Sequence, residues 1–386
     1  MKLIKYSLFG LVIVSCNRSP TKVAAVTADP EKIKISLSDT STLYAEDIMD
    51  SIRVLPLSNT DSVSLSAMAK CFVTDDGIVI SDSQASAVYF FNNDGLLVKR
   101  LKPERAKSMI PQKDEFHFVN DTFYDSKAKL IEVLDLTAEK IFRFDTKGNM
   151  HDVLVIDRSR PFGHQYVAVN NDYISLLLNY NTDKRGLSIY EREGNVLKYN
   201  SQKLNTIPYI KHITVLTHHQ LEVYRDAAYC FPSLQDKIYK VSSTDTVPVY
   251  LLDYPHNKKI TDAVKNAYPT KDINTYFEAM ENSNMVFNNN SLFINDDWVY
   301  FKFSYKYRNL QRNVFYSKKN KQIIQFSRLK SKNHMNLRYI TIAGKDKDFF
   351  VTVNAVIKGP KTKEKNSPRY VDYQLMFFRL WDGSKA

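Results

Sequence analysis

The sequence predicts an all-β fold, a six-bladed propeller with a short helical insertion between two blades. Three observations carry this: a strand-turn-strand-turn-strand pattern recurs along the chain, two of its copies share a fixed offset, and apolar residues alternate as in half-buried strands. The first copy runs Gly77-Ile78-Val79-Ile80-Ser81-Asp82, then Ala87-Val88-Tyr89-Phe90-Phe91, then Asn93-Asp94-Gly95-Leu96-Leu97-Val98. Fifty-three residues later it returns as Leu130 to Asp135, Lys140 to Phe144 and Thr146 to Met150, so that Asp82, Phe91 and Gly95 match Asp135, Phe144 and Gly148. A four-stranded unit of about 40 to 55 residues with a shared turn position is the pattern of a propeller blade.

In chain order, the first element is a leader. Lys2 and Lys5 form a basic start, Leu8 to Val14 is apolar, and Cys16 follows a small residue, Ser15. The apolar stretch is too short to span a bilayer, and a cysteine at that position reads as a lipobox. Residues 1–15 are expected to be a lipoprotein signal and Cys16 the acylated first residue of the mature chain. An ordinary cleaved signal or a membrane-anchoring helix leaves Cys16 unexplained. Several acyl chains would hold the protein at a membrane permanently, so its work is expected outside the cytoplasm. Residues 16–43 are polar, with Pro20, Pro30 and many Ser and Thr, and are expected to be a tether. Asn17-Arg18-Ser19 carries no acid after the cysteine, which favours a periplasm-facing outer-membrane protein.

The propeller is expected over 44–386. Ser51 to Leu57 reads as a strand standing before the first repeat, suited to join the last blade around Tyr373 to Leu380 and so hide the terminal edges. Further units run from Ile174 to Tyr190, from Ala228 to Val241, from Trp298 to Tyr316, and from Phe349 to Leu380. The gap between Tyr239 and Phe315 is longer than the repeat. It holds Ile260, Ala263, Val264 and Ala267 at helical spacing, a break at Pro269, then Ile273, Tyr276, Phe277 and Met280. Two short helices are therefore expected within about 257–285.

These residues together resemble the six-bladed β-propeller lipoproteins of Bacteroidetes, a group similar to NHL-repeat propellers. The likeness spans nearly the whole mature chain, and Asn366-Ser367-Pro368 before Phe378-Arg379-Leu380 resembles that family's close. One departure stands out. The family's glycine-rich segment between the first two repeats is replaced by Ile110 to Phe116, which keeps only Glu115 and Phe116, so the loop should take a different path. The resemblance implies fold and location rather than a reaction.

Charge and motifs narrow the function further. Lys and Arg exceed Asp and Glu by twelve, or by ten once Lys2 and Lys5 leave with the leader. Outside the cytoplasm this points away from nucleic acid and toward acidic surfaces, glycans or lipid head groups. The basic stretches at Lys318, Lys319 and Lys321, at Arg328, Lys330 and Lys332, and at Lys361, Lys363 and Lys365 read as solvated loops. Cys71 and Cys230 fall in different units and read as small buried hydrophobes, with no metal-ligand spacing. Asp75-Asp76-Gly77 and Asn93-Asp94-Gly95 resemble calcium ligands singly, yet Asp-Gly between strands is a hairpin turn. His218 and His219, adjacent in an extended segment, would face opposite sides. With 10 glycines and no nucleophile elbow, zinc motif or phosphate loop, no catalytic residue, metal or cofactor is assigned.

Candidate ligand or partner positions are Glu115 and Phe116, His164 after Pro161-Phe162-Gly163, and the aromatics Tyr180, Tyr305 and Tyr307. The expected function is a monomeric, membrane-tethered binding or scaffolding propeller, accessory to outer-membrane nutrient uptake or sensing, with an envelope protein or glycan as partner. The alternative is an envelope lyase or hydrolase acting on a glycan at the channel mouth.

Overall fold

A computed structural model describes residues 29–37, 42–58, 63–66, 69–103, 116–160, 162–177, 186–204, 219–232, 235–255, 286–305, 310–332, 341–358 and 370–381. The described chain is all-β apart from one helical turn. It begins with β1 (Glu31–Lys34), β2 (Thr42–Tyr44), α1 (Ala45–Ile48) and β3 (Met49–Pro56). Four-stranded antiparallel meanders follow, each lettered here a to d from its first strand to its last. The first comprises β4 (Lys70–Thr74), β5 (Gly77–Asp82), β6 (Ala87–Phe91) and β7 (Leu97–Leu101). The second has β8 (Asp121–Asp125), β9 (Leu130–Asp135), β10 (Lys140–Asp145) and β11 (Met150–Ile156), and the third β12 (Gln165–Val169), β13 (Asp172–Leu177), β14 (Gly186–Glu193) and β15 (Val196–Leu204). The fourth has β16 (Leu221–Tyr224), β17 (Ala227–Cys230), β18 (Lys237–Val241) and β19 (Thr246–Asp253); the fifth β20 (Val286–Ile294), β21 (Trp298–Tyr305), β22 (Leu310–Ser317) and β23 (Ile323–Phe326). After β24 (Arg328–Lys330), the last unit is composite: β25 (Ile342–Asp346), β26 (Phe349–Lys358) and β27 (Tyr370–Leu380) are completed by β3 from the other end of the chain.

That pairing is the one expected of residues 51–57. β3 runs antiparallel to β27, with Leu55 opposite Leu375 and Ile52 opposite Phe378. β3 thereby covers the edge that β27 would otherwise present for aggregation and becomes the outer strand of the unit.

The offset of 53 has a physical basis. Asp82 and Asp135 each end a b strand, fully buried, and accept backbone N–H groups of the following turn: Gln84 and Ala85 at 2.9 and 3.0 Å, Thr137 and Ala138 at 2.9 and 3.0 Å. Each carboxylate also holds the segment entering its own unit, through Ser66 Oγ at 3.0 Å for Asp82 and His117 N at 2.6 Å for Asp135. Gly95 and Gly148 both take φ +80° in the c–d turn, a conformation that costs other residues dearly.

Every unit buries both faces against its neighbours. Phe90 packs with Phe142 between units one and two, Leu154 with Tyr173 between two and three, and Ile189 with Cys230 between three and four. Phe231 packs with Phe301 between four and five, Phe315 with Phe378 between five and the composite unit, and Leu375 with Tyr89 between that unit and the first. Each such side chain, fully buried, contributes about 1.5 to 3 kcal/mol of hydrophobic stabilisation. The innermost a strands touch in the same succession, and β25 pairs in parallel with β4. This is a propeller-like arrangement.

Two expectations need correcting. The polar stretch read as a tether through residue 43 has already entered the folded body at β1, which pairs in parallel with β19 and buries Ile33 in the core. β2 likewise pairs in parallel with β24, forming a separate two-stranded sheet after unit five. Alternation of short polar and apolar residues was too brief there to signal a strand. Arg328 and Lys330, read as loop residues, lie on β24 with exposed side chains. Cys16 and the helical pattern within 257–285 lie outside the described residues. No helix among the described residues is long and apolar enough to cross a membrane.

Candidate functional site

The a strands of all units line one cavity of about 690 Å³. Its apolar lining comprises Phe72 and Val73 on β4, Phe123 on β8, Val169 on β12, Val223 on β16, Phe293 on β20, and Ala343 and Gly344 on β25. Gly344 is required there because a Cβ would collide with the carbonyl of Cys71 on β4. The cavity occupies the C-terminal halves of these strands and reaches the a–b turns, where Lys127, Asn170, Arg225 and Asp226 stand exposed.

Polar links tie the a strands to one another nearer their other ends. Lys70 pairs with Asp121, which also accepts the Tyr166 N–H at 3.0 Å; Gln165 Oε1 accepts the Gln220 N–H at 2.8 Å. One cluster faces the cavity itself. Lys345 pairs with Glu222 and donates to the carbonyls of Val223 at 2.9 Å and Ile294 at 2.6 Å, so one ammonium ties three units. Glu222 Oε2 lies 2.5 Å from His219 Nε2, and the His219 ring stacks on Phe293 at 4.1 Å. Burial pushes the Glu222 carboxyl up, but Lys345 and His219 outweigh it and hold the group below the ordinary carboxylate range. Burial also lowers the His219 pKa, which Glu222 only partly opposes, so the ring is neutral at pH 7. With an ionised acceptor at Nε2, that nitrogen carries the proton and Nδ1 is bare. Nδ1 is nevertheless buried against protein without a hydrogen-bond partner. His219 sits at φ 44°, an unusual backbone for a bulky residue, at the entry to β16.

The mouth at the a–b turns is crossed by charge pairs. Lys127 Nζ donates to Asn170 Oδ1 at 3.1 Å and Asp226 Oδ1 at 2.7 Å, bridging units two, three and four; Arg225 meets Asp296 at 3.0 Å.

None of the described candidate positions from the sequence reaches this cavity. Phe116 packs on Phe142 and Phe144 at 5.9 and 6.1 Å, a core contact rather than a binding platform. His164 is exposed in the connection before β12, where Gly163 lets the chain pass close to the Leu176 backbone. Tyr305 ends β21, and its side chain, with Glu115, Tyr180 and Tyr307, lies outside the described residues. His219, Glu222 and Lys345 were missed as a group. The available signal was His219 and Glu222 three residues apart at a strand start, but Lys345 follows 123 residues after Glu222. Cys71 and Cys230 are both buried and unpaired, and burial pushes the Cys71 thiol up to about 12. Among the described residues no three His, Cys, Asp or Glu side chains gather as a metal site.

No curated protein matches the chain. Among solved structures, a Bacteroides fragilis protein described as exported is similar at TM-score 0.68 and 13% identity, over 91% of this chain and 99% of that one. A member of the DUF4221 family from Bacteroides vulgatus is similar at TM-score 0.53 and 9% identity, over 86% and 97%. At such identities the likeness concerns the fold alone. The family described as DUF4934, a domain of unknown function, matches residues 30–369, and the chain belongs to it.

Proposed function

We propose that the six units close into one propeller ring, anchored at the outer membrane through an acylated Cys16 and facing the periplasm, that binds a small ligand in its channel. Such a protein would serve as an accessory to nutrient uptake or sensing. The observation that carries this is the 690 Å³ cavity to whose wall the a strand of every described unit contributes, a volume within the range of small-molecule sites. The exported relative of the same fold and the lipobox at Ile13 to Cys16 support the location.

Calorimetry of the purified chain against small-molecule, protein and glycan fractions of cell envelope tests the reading. Saturable heat from the small-molecule fraction, lost on placing a charge in the wall with Val169→Asp, is expected. Heat only from protein or glycan fractions, unchanged by that substitution, would move the interaction to an outer face and overturn the channel reading. Metabolic labelling with palmitate, abolished by Cys16→Ser, tests the anchor.

The lyase or hydrolase alternative draws on the His219–Glu222 contact. A proton-transfer role needs a group open to substrate, whereas Lys345 and Glu222 are engaged with each other. Cleavage of a glycan fraction that disappears in His219→Gln would favour it.

A further inference from the structure

The buried charges inside the cup are paired with one another. Lys345 has three N–H groups, and Glu222, Val223 O and Ile294 O take all three. Glu222 has one oxygen on Lys345 and the other on His219, whose remaining nitrogen is buried. Lys70 and Asp121 cancel each other at the strand starts. Between these buried pairs and the mouth the wall offers a ligand the half-buried apolar side chains of Phe72, Val73, Phe123, Val169 and Val223, while Tyr124 and Asp125 join the charged turns at the rim. An ion seated below the rim, among the a strands, would lose its hydration where the buried charges are already paired, and a sugar there would lose several hydrogen bonds at once. An apolar molecule gains roughly 25 cal/mol per Å² it buries.

Building on the channel-binding reading, we infer that the cup selects an uncharged, largely apolar small molecule. The exposed charges are confined to the turns at the mouth. Lys127, held by Asn170 and Asp226, bridges three units at that opening. The volume of about 690 Å³ suits one such ligand.

The test uses three fluorescent probes of one shape: naphthalene, 1-naphthoate and 1-naphthylmethylammonium. They are titrated into the full chain carrying Cys16→Ser, so that no detergent competes for them. Naphthalene should bind saturably at one site and at least about tenfold more tightly than either ion, the direction set by the cost of an unpaired buried charge. Val169→Asp and, separately, Val73→Asp should weaken naphthalene at least about tenfold, with circular dichroism reporting whether each variant is folded. If neither folds, the rank order of probes on the parent chain decides alone. An ion binding as tightly as naphthalene overturns the ligand class but leaves channel binding standing. Absence of naphthalene binding also overturns it, and if envelope small-molecule fractions give no heat either, the channel reading fails with it.

Discussion

Glu132→Gln is expected to remove a pH dependence from the stability of this fold. Glu132 lies fully buried on β9 between units two and three. Its Oε1 accepts the Tyr173 hydroxyl at 2.8 Å and stands 3.1 Å from Arg143 Nε, while Arg143 Nη1 reaches Asp152 at 2.9 Å. Burial lifts its pKa from 4.5 to about 7, although Tyr173 and Arg143 pull the other way. The folded protein therefore holds this proton more tightly than the unfolded chain. The resulting stabilisation is fully present below pH 4.5 and is lost as pH rises through 7. The gap corresponds to about 3 kcal/mol, most of it given up between pH 5 and pH 8. Glutamine can still accept the Tyr173 hydroxyl but cannot ionise. Urea denaturation of both proteins at pH 5, 6, 7 and 8 measures the difference in unfolding free energy, which cancels every other titrating group. Parent minus variant should fall by about 2 to 3 kcal/mol across that range. A difference that stays constant, or that rises with pH, would refute the argument that burial dominates over Arg143.

Further expectations concern the channel and its seams. Lys345→Met strands Glu222 and two carbonyls and should cost about 3 kcal/mol in chemical denaturation, as loss of one partner from a buried pair does; a cost below about 1 kcal/mol would show the cluster to be solvated. Gly344→Ala forces the β4 and β25 backbones apart at Cys71 and should lower the melting temperature sharply or prevent folding, whereas Gly194→Ala, with nothing within 4 Å of its added carbon, should act only through its φ of +63°. Lys127→Ala should leave the melting temperature nearly unchanged, because Lys127 and Asp226 are 65% and 73% exposed and such pairs contribute about 0 to 1 kcal/mol. It should, however, speed naphthalene association in stopped-flow fluorescence, and an unchanged rate would show that this side chain does not restrict the mouth. Cys71, with its thiol pushed up to about 12, should react with Ellman's reagent at pH 8 only as fast as the protein opens, so mild urea should accelerate it.

Much of the fold was legible in local patterns because a blade strand needs its apolar residues at alternate positions and its hairpins need residues that turn. Asp82 and Asp135 could be recognised as equivalent because each performs the same local task, capping its own b–c turn. Ser51 to Leu57 could be assigned to the last unit because an unpaired strand at one terminus and a unit short of a strand at the other imply each other. β1 escaped detection because its four residues alternate too briefly, and Ile33 acquires its meaning only from the core it enters between units four and five.

The cavity was much less legible than the fold, and of the aromatic candidates only the Phe116 side chain lies among the described residues. Phe116 looked available beside an eroded loop, yet in a stacked-unit fold a flat ring is most useful between units, where it packs on Phe142 and Phe144. The sequence by itself determined the all-β class, the repeating unit, the shared turns and the closure of the last sheet, since each depends on residues near one another or on edges that must pair. Only the tertiary structure decided that His219, Glu222 and Lys345 form one neutral cluster and that the a strands line one cavity with apolar side chains below a charged rim. Each unit contributes a single strand to that wall, and which strand faces which across the cavity depends on how the units pack on one another, which no local periodicity encodes.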